Sequence, residues 1–323
     1  MKYIVKTTTL SAMAIFASLN ISANADENLW MYTKGTDTRP EGSWELKLNS
    51  ISRLGKDIGD YAFHDIRPEL EYGITDKLTV FGELMLFSHD YDIPEGREEL
   101  DPTVGQFSKT QYGGFELGMK YNVLSPYKDP IGLSFGLAFE HRDVYRLDGS
   151  DIDQDAVAPS IYLQKNWLDN QLTLAFAGKV ELERRKGGAG TDEEVLEEEI
   201  AFDLGLGIAY RFAPKWTAGL EWRYQTDFVN PVINGVPDDG KPDVQTGDFS
   251  SFDDIQLGSQ FQYGHYFGPS LHYAEEGWWV TGSILWLVKS GGDASRNGAV
   301  AELGKAYDEH EELHVGVTVG FEF

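Results

Sequence analysis

The feature that most restricts this chain is a strict two-residue alternation that recurs along most of its length. In Glu199–Phe212, "EIAFDLGLGIAYRF", one parity holds Ile200, Phe202, Leu204, Leu206, Ile208, Tyr210 and Phe212. The other holds Ala201, Asp203, Gly205, Gly207, Ala209 and Arg211. Alternate residues of a strand point to opposite faces, whereas a helix needs a period of 3.6. The stretch is therefore a strand with one apolar face and one small or charged face.

The same pattern sets Ile131, Leu133, Phe135, Leu137 and Phe139 against Gly132, Ser134, Gly136, Glu140 and Arg142. It returns in residues 114–123, 171–184, 215–228 and 313–323. About twelve strands are predicted by this test, centred near residues 48, 69, 82, 117, 136, 161, 177, 204, 220, 266, 283 and 318. Short turns near 75–77, 124–130, 168–170, 213–215 and 274–277 alternate with longer acidic loops near 90–108, 147–155, 185–194, 229–252 and 290–308. That alternation predicts an all-β, up-and-down antiparallel meander. Pro68, Pro159 and Pro269 each precede an apolar–polar–apolar step. They read as strand-shaping devices, because proline removes a ladder donor.

Two architectures fit such strands: a soluble sandwich or barrel with an apolar core, and a transmembrane barrel with its apolar face toward lipid. The polar face is rich in Gly, Ala, Ser and Thr, which suits a curved, wet interior. Aromatic residues flank the short turns at Tyr72, Tyr121, Trp167, Tyr210, Phe212, Trp216, Tyr273, Trp278, Phe321 and Phe323. Amphipathic rings collect in this way at a membrane interface. Runs of about ten residues are long enough to cross a bilayer when tilted. These features favour a transmembrane antiparallel β-barrel with short periplasmic turns and long acidic extracellular loops. Closure also leaves no unpaired edge in a chain without a single Cys.

Residues 1–25 carry Lys2 and Lys6, a short apolar run and an Ala23-Asn24-Ala25 ending. They read as a cleaved secretory signal peptide. Residues 26–42 are set apart as an N-terminal periplasmic segment and 43–323 as the barrel. A net charge of −26 excludes a nucleic-acid partner, which would need a basic surface.

The phrases "ELEYGITDKLTVFGEL" (69–84), "AYRFAPKW" (209–216), "GPSLHYAEEGWW" (268–279) and the terminal "GVTVGFEF" resemble Gram-negative outer-membrane β-barrel proteins. With the start "ADENLWMYTKG" (25–35) they look like an outer-membrane family of unknown function, and "LEYGITDKL" resembles a phrase of outer-membrane transporters. The resemblance implies an outer-membrane location beside lipid and lipopolysaccharide. It also implies periplasmic chaperones and an insertion machinery that recognises a last strand ending in Phe, here Phe321 and Phe323.

The parity places Lys47, Arg67, Glu69, Glu71, Glu83, Glu116, Lys120, Glu140, Arg142, Lys179, Glu181, Asp203, Arg211, Glu221 and Arg223 toward the lumen. Such a mixed-charge lining either selects solutes or braces the wall with internal ion pairs. The function expected is a narrow channel or transporter for small cationic or zwitterionic solutes. The alternative is a plugged structural barrel acting through its acidic loops. A lipid-modifying outer-membrane enzyme is the third reading, and an enzyme is not expected: His141 and His265 fall on the outward parity, Ser134 and Ser283 on the inward one, and no motif pairs them. His64, His272 and His314 are placed toward the lumen without zinc spacing. No cofactor is expected. Asp151, Asp153 and Asp155 are the metal candidates, in a loop that matches only the first half of a calcium site.

Overall fold

The computed structural model describes residues 28–97, 103–187, 196–229, 232–233, 236–237, 257, 259–292, 300, 302–307 and 310–323. The signal-peptide reading lies outside them. The elements are β1 (Trp44–Leu54), β2 (Asp60–Thr75), β3 (Leu78–Ile93), β4 (Gly105–Leu124), β5 (Gly132–Val144), β6 (Asp151–Trp167) and β7 (Leu172–Gly187). They continue with β8 (Leu196–Ala213), β9 (Trp216–Val229), the two-residue strands β10 (Val232–Ile233) and β11 (Val236–Pro237), β12 (Ser259–Glu275), β13 (Trp278–Gly291) and β14 (Leu313–Glu322). β10 and β11 pair with each other, and the other twelve strands close a barrel in which β1 pairs with both β2 and β14.

Every neighbouring pair is antiparallel, so the chain climbs and descends around one wall. Closure runs from Glu45 opposite Glu322 to Leu54 opposite Leu313. Beyond it, Trp44 and Phe323 exchange backbone hydrogen bonds of 2.7 and 3.0 Å. The three prolines share a setting. The ladder toward the following strand lapses for two residues at each: between Ile66 and Glu69, between Val157 and Ser160, and between Phe267 and Ser270.

The apolar parity faces outward. Leu48, Leu117, Phe135, Leu206, Ile208 and Val317 are each more than 40% exposed. Around the short-turn rim Tyr121, Trp167, Tyr210, Phe212, Trp216 and Phe321 are exposed as well. In water such a belt would be an aggregation surface. In a bilayer it is the lipid contact.

Several strands run further toward the long-loop rim than their alternation suggests. β4 starts at Gly105 and β6 at Asp151, so Asp151, Asp153 and Asp155 stand on a strand and not in a loop. Up there the parity is unchanged but the polarity inverts, so that apolar residues take the inward positions. Tyr61, Phe63, Met85, Phe87, Tyr91, Ile93 and Val144 form an apolar cluster buried inside the barrel. Opposite them, Tyr266, Leu285 and Leu287 pack with Tyr307 from the connection between β13 and β14.

Candidate functional site

The short-turn half of the lumen is occupied by the chain's own N-terminal segment. Residues 26–42 are read from sequence as a periplasmic segment; the part described, Asn28–Glu41, instead lies inside the barrel, rising to Tyr32 beside His314 and returning to the short-turn rim at Arg39 beside Glu322. The backbone N–H groups of Met31, Tyr32 and Thr33 donate to the Glu221 carboxylate at 3.0, 2.9 and 2.6 Å. Thr36 donates its N–H to Gln164 Oε1 at 2.9 Å and accepts from Asn122 and Ser134. Arg39 reaches Glu322 at 2.7 Å and Glu45 at 3.5 Å. Asn28 accepts from Thr281.

The small residues of the inward parity are the seat of this segment. Leu29 and Trp30 are buried against Ala175 and Ala209. A Cβ on Gly207 would fall inside the Trp30 indole, one on Gly219 would lie 2.9 Å from its Nε1, and one on Gly205 would strike Thr33. Gly316 is equally crowded by Met31. These glycines admit a second backbone as much as they curve the wall.

Above the segment lies a charged belt. Glu69, Glu83, Glu116 and Glu140 are in register across four neighbouring strands, β2 to β5. One guanidinium serves most of the row: Arg67 is 2.8 Å from Asp65, 2.6 Å from Glu83, 3.7 Å from Glu140 and 4.0 Å from Glu116. Lys47 bridges Glu69 at 2.9 Å and also holds Glu71. Arg142 ties Glu140 and Glu183, Lys179 holds Glu181 at 2.6 Å, and Arg223 grips Asp203 through two nitrogens at 2.9 and 2.7 Å. Carboxylates packed this closely in a low-dielectric wall require such partners. Lys120 lies 5.0 Å over the Tyr162 ring. Arg211 stands apart, at the short-turn rim, where it donates to the Asn170 carbonyl at 2.6 Å.

The belt encloses a cavity of about 220 Å³, floored by Met31, Tyr32 and Lys34 of the segment. A smaller space of about 50 Å³ continues it along β7, β8 and β9, and the two share Arg146, Lys179, Asp203 and Arg223. Structure thus gathers ten of the sequence-predicted residues around one chamber: Lys47, Arg67, Glu69, Glu71, Glu83, Glu116, Lys120, Lys179, Asp203 and Arg223. Arg142 and Glu181 line the smaller space. Glu221 is bound by the segment. Sequence reasoning misses Lys34 and Arg146, which lie on no strand, and Arg53.

A family model described as Family of unknown function (DUF6662) matches residues 22–323. The chain belongs to that family. No curated protein matches it. Among solved structures it is similar to an outer membrane channel from Pseudomonas putida F1, at 10% identity and a TM-score of 0.57 over 89% of this chain and 98% of that one. It is also similar to the beta domain of the Bordetella autotransporter BrkA, at 13% identity and a TM-score of 0.50 over 88% and 100%. At these identities the likeness carries the fold, that of an outer-membrane β-barrel.

On the outside of this DUF6662 barrel the histidines have local partners. His141 lies 2.8 Å from Asp155 and 3.3 Å from Asp143. His141, Asp153 and Asp155 place ligand atoms within 4.8 Å of one another, while Asp151 is not of the group. His265 stacks on Trp222, with Tyr224 tilted and Tyr263 edge-on to it. His64, expected in the lumen, is on the outer wall: its neighbours Phe63 and Asp65 are the inward pair, and its Nδ1 is 2.8 Å from Ser52 Oγ. Its other ring nitrogen has no partner among the described residues, so no described residue completes this Ser–His pair as a triad would. His272 and His314 are buried inside, on Thr281 and on Tyr32 and Glu311.

Proposed function

We propose that the protein is a narrow outer-membrane channel for small solutes, held closed by its lumen segment Asn28–Glu41. The observation that carries this reading is the charged chamber at mid-barrel, walled by strands and floored by a non-strand segment. A barrel of twelve strands is intermediate between filled eight-stranded barrels and water-filled porins of sixteen or more. Internal bracing alone needs no chamber, since paired side chains would fill the space. The floor is held by hydrogen bonds and ion pairs that water can replace, and by the apolar contacts of Leu29 and Trp30 with Ala175 and Ala209. Solute passing through would meet rings of fixed charge, the usual basis of selectivity in such pores.

The experiment is reconstitution of the full chain into planar bilayers and liposomes. The channel reading expects brief or small conductance steps and slow swelling in small solutes. Absence of both, in the intact chain and in variants that loosen the segment, would end it. One observation favours a second reading, a structural barrel: described residues pack the lumen from both rims, with the segment below and the Phe63–Phe87 cluster above. On that reading envelope integrity depends on the barrel and no variant conducts.

A further inference from the structure

The charges around the chamber do not balance partner by partner. Its strand carboxylates each lie within 4.0 Å of a cation: Asp65, Glu83 and Glu116 by Arg67, Glu69 and Glu71 by Lys47, Asp203 by Arg223. Three cations on the same lining, Lys34, Arg53 and Arg146, have no carboxylate within that distance among the described residues. Arg53 is 5% exposed, and its Nε is buried without a hydrogen-bond partner. Its guanidinium rests 5.6 Å over Phe63. Arg223 is 4% exposed; Asp203 occupies its Nε and one terminal nitrogen, leaving Nη1 buried and unpartnered. Its guanidinium lies 3.7 Å over the Tyr32 ring. Tyr32 hydrogen-bonds His314, and His314 is the cross-strand neighbour of Arg53. Two guanidiniums thus flank one tyrosine on the wall of the chamber, and the two terminal nitrogens of Arg53 have neither a hydrogen-bond nor an ion-pair partner among the described residues.

We infer that this chamber is a binding site for a small oxyanion, held by Arg53 and Arg223 with Lys34 and Arg146 supplying additional positive charge. A guanidinium has five donors and no acceptor, and a buried donor left unmade costs stability. A carboxylate or phosphate offers the paired oxygens that match its fork. At about 220 Å³ the chamber is below the usual range of drug-sized pockets, which fits a solute of a few heavy atoms and not an oligomer. An oxyanion replaces the cationic solute expected from the net charge of −26. Charge on the loops does not set the local field where opposite charges are paired at close range.

The role of this site in transport rests on the channel reading, but the site is tested separately. The full chain, folded in detergent as judged by heat-modifiable migration, is titrated calorimetrically with acetate, lactate, inorganic phosphate, choline and a neutral sugar. Saturable heat with an oxyanion and none with choline or sugar is expected; carboxylate-only and phosphate-only responses each identify the oxyanion. Arg53→Gln and Arg146→Gln should each weaken binding at least tenfold, and Arg53→Lys less. Arg146 is on a connection, so its variant keeps the test valid if Arg53→Gln misfolds. In bilayers under a salt gradient, the intact chain should prefer anions and the two variants should shift toward cations. Equal heats for choline and acetate, no saturable heat with any oxyanion, or unchanged affinity in both Gln variants would overturn the site. Anion binding without conductance would overturn the channel reading and leave the site standing.

Discussion

The backbone N–H of Thr33 donates to the carboxylate of Glu221 at 2.6 Å, across 188 residues of sequence. Glu221 is fully buried, and no cation lies within ion-pair distance of it among the described residues. Its charge is solvated by three consecutive N–H groups of the lumen segment. Both sides depend on the arrangement: without the segment the carboxylate must find water, and without the carboxylate three donors are left in a dry wall.

Replacing Glu221 by Ala should therefore release the segment and spare the barrel. Hydrogen bonds to a charged acceptor contribute about 1.5–3 kcal/mol each. A net loss of about 2 kcal/mol corresponds to roughly a thirtyfold rise in the released population. Protease cleavage near Met31 and mean open time in bilayers are the measurements. Unchanged cleavage in a folded Glu221→Ala barrel would show that other contacts hold the segment.

Gly207 gives an independent route to the same state. Alanine is tolerated in a strand, but here its methyl would meet the Trp30 indole. Gly207→Ala should expel Trp30 and lengthen channel openings with little change in barrel melting. Trp30→Ala in the same chain should add little to that, since the collision then has no target. Fully additive effects of the two changes would place the cause in the strand itself.

The barrel is legible in the sequence because lipid imposes a rule on each strand: one parity must be apolar wherever the wall meets hydrocarbon. Ile200 to Phe212 obey it, and so strand, face and closure can all be read from them. Above the lipid band the rule lapses. Phe63 and Phe87 turn inward there and His64 outward, so polarity assigns His64 to the wrong face. Asp153 and Asp155, outward acids on the same upper wall, look like a loop for the same reason. Gly205 and Gly207 look like wet wall, because nothing near them signals that residues 30–33 fill the space. Arg53 escapes notice because its strand alternates weakly at its upper end, where Ser50, Ser52 and Asn49 dilute the pattern.

Acid should loosen the upper closure. His310, in the connection before β14, is buried with its Nε2 unpartnered, and burial lowers its pKa to about 3. The groups facing it are Glu311 and His314, Lys56 from the β1–β2 connection, Arg223 of β9 and Tyr266 of β12. Glu311 stays charged through the window: burial raises its pKa, but the His314 hydrogen bond and Arg53 outweigh this and hold it at about 2. An undocked His310 takes its proton near the free value of about 6.5, while the docked one resists until about 3. Docking is thus strongest above a pH of about 6.5 and weakens steadily as pH falls toward about 3. Hydrogen exchange of residues 302–307 and 310–312 should rise between about pH 7 and pH 4 after correction for intrinsic rates, and His310→Gln should flatten the profile. Identical profiles for both chains would exclude His310 as the sensor.

Phe323 and Glu322 should divide assembly and closure between them. Phe323 exchanges both backbone hydrogen bonds with Trp44 and so completes the seam between the first and last strands. Glu322, one residue before it, turns inward and holds Arg39 of the lumen segment at 2.7 Å. Deleting Phe323 should remove a seam pair and an aromatic residue from the short-turn rim, cutting the folded, heat-modifiable fraction in outer membranes severalfold. Glu322→Gln should leave that fraction unchanged and instead weaken the hold on Arg39, because a neutral amide is a poorer partner for a guanidinium. The two readouts are the amount of folded barrel and the protease sensitivity of the segment. If Glu322→Gln lowered the folded amount as much as loss of Phe323, the inward face of β14 would be part of the assembly signal, and the division between the two neighbours would fail.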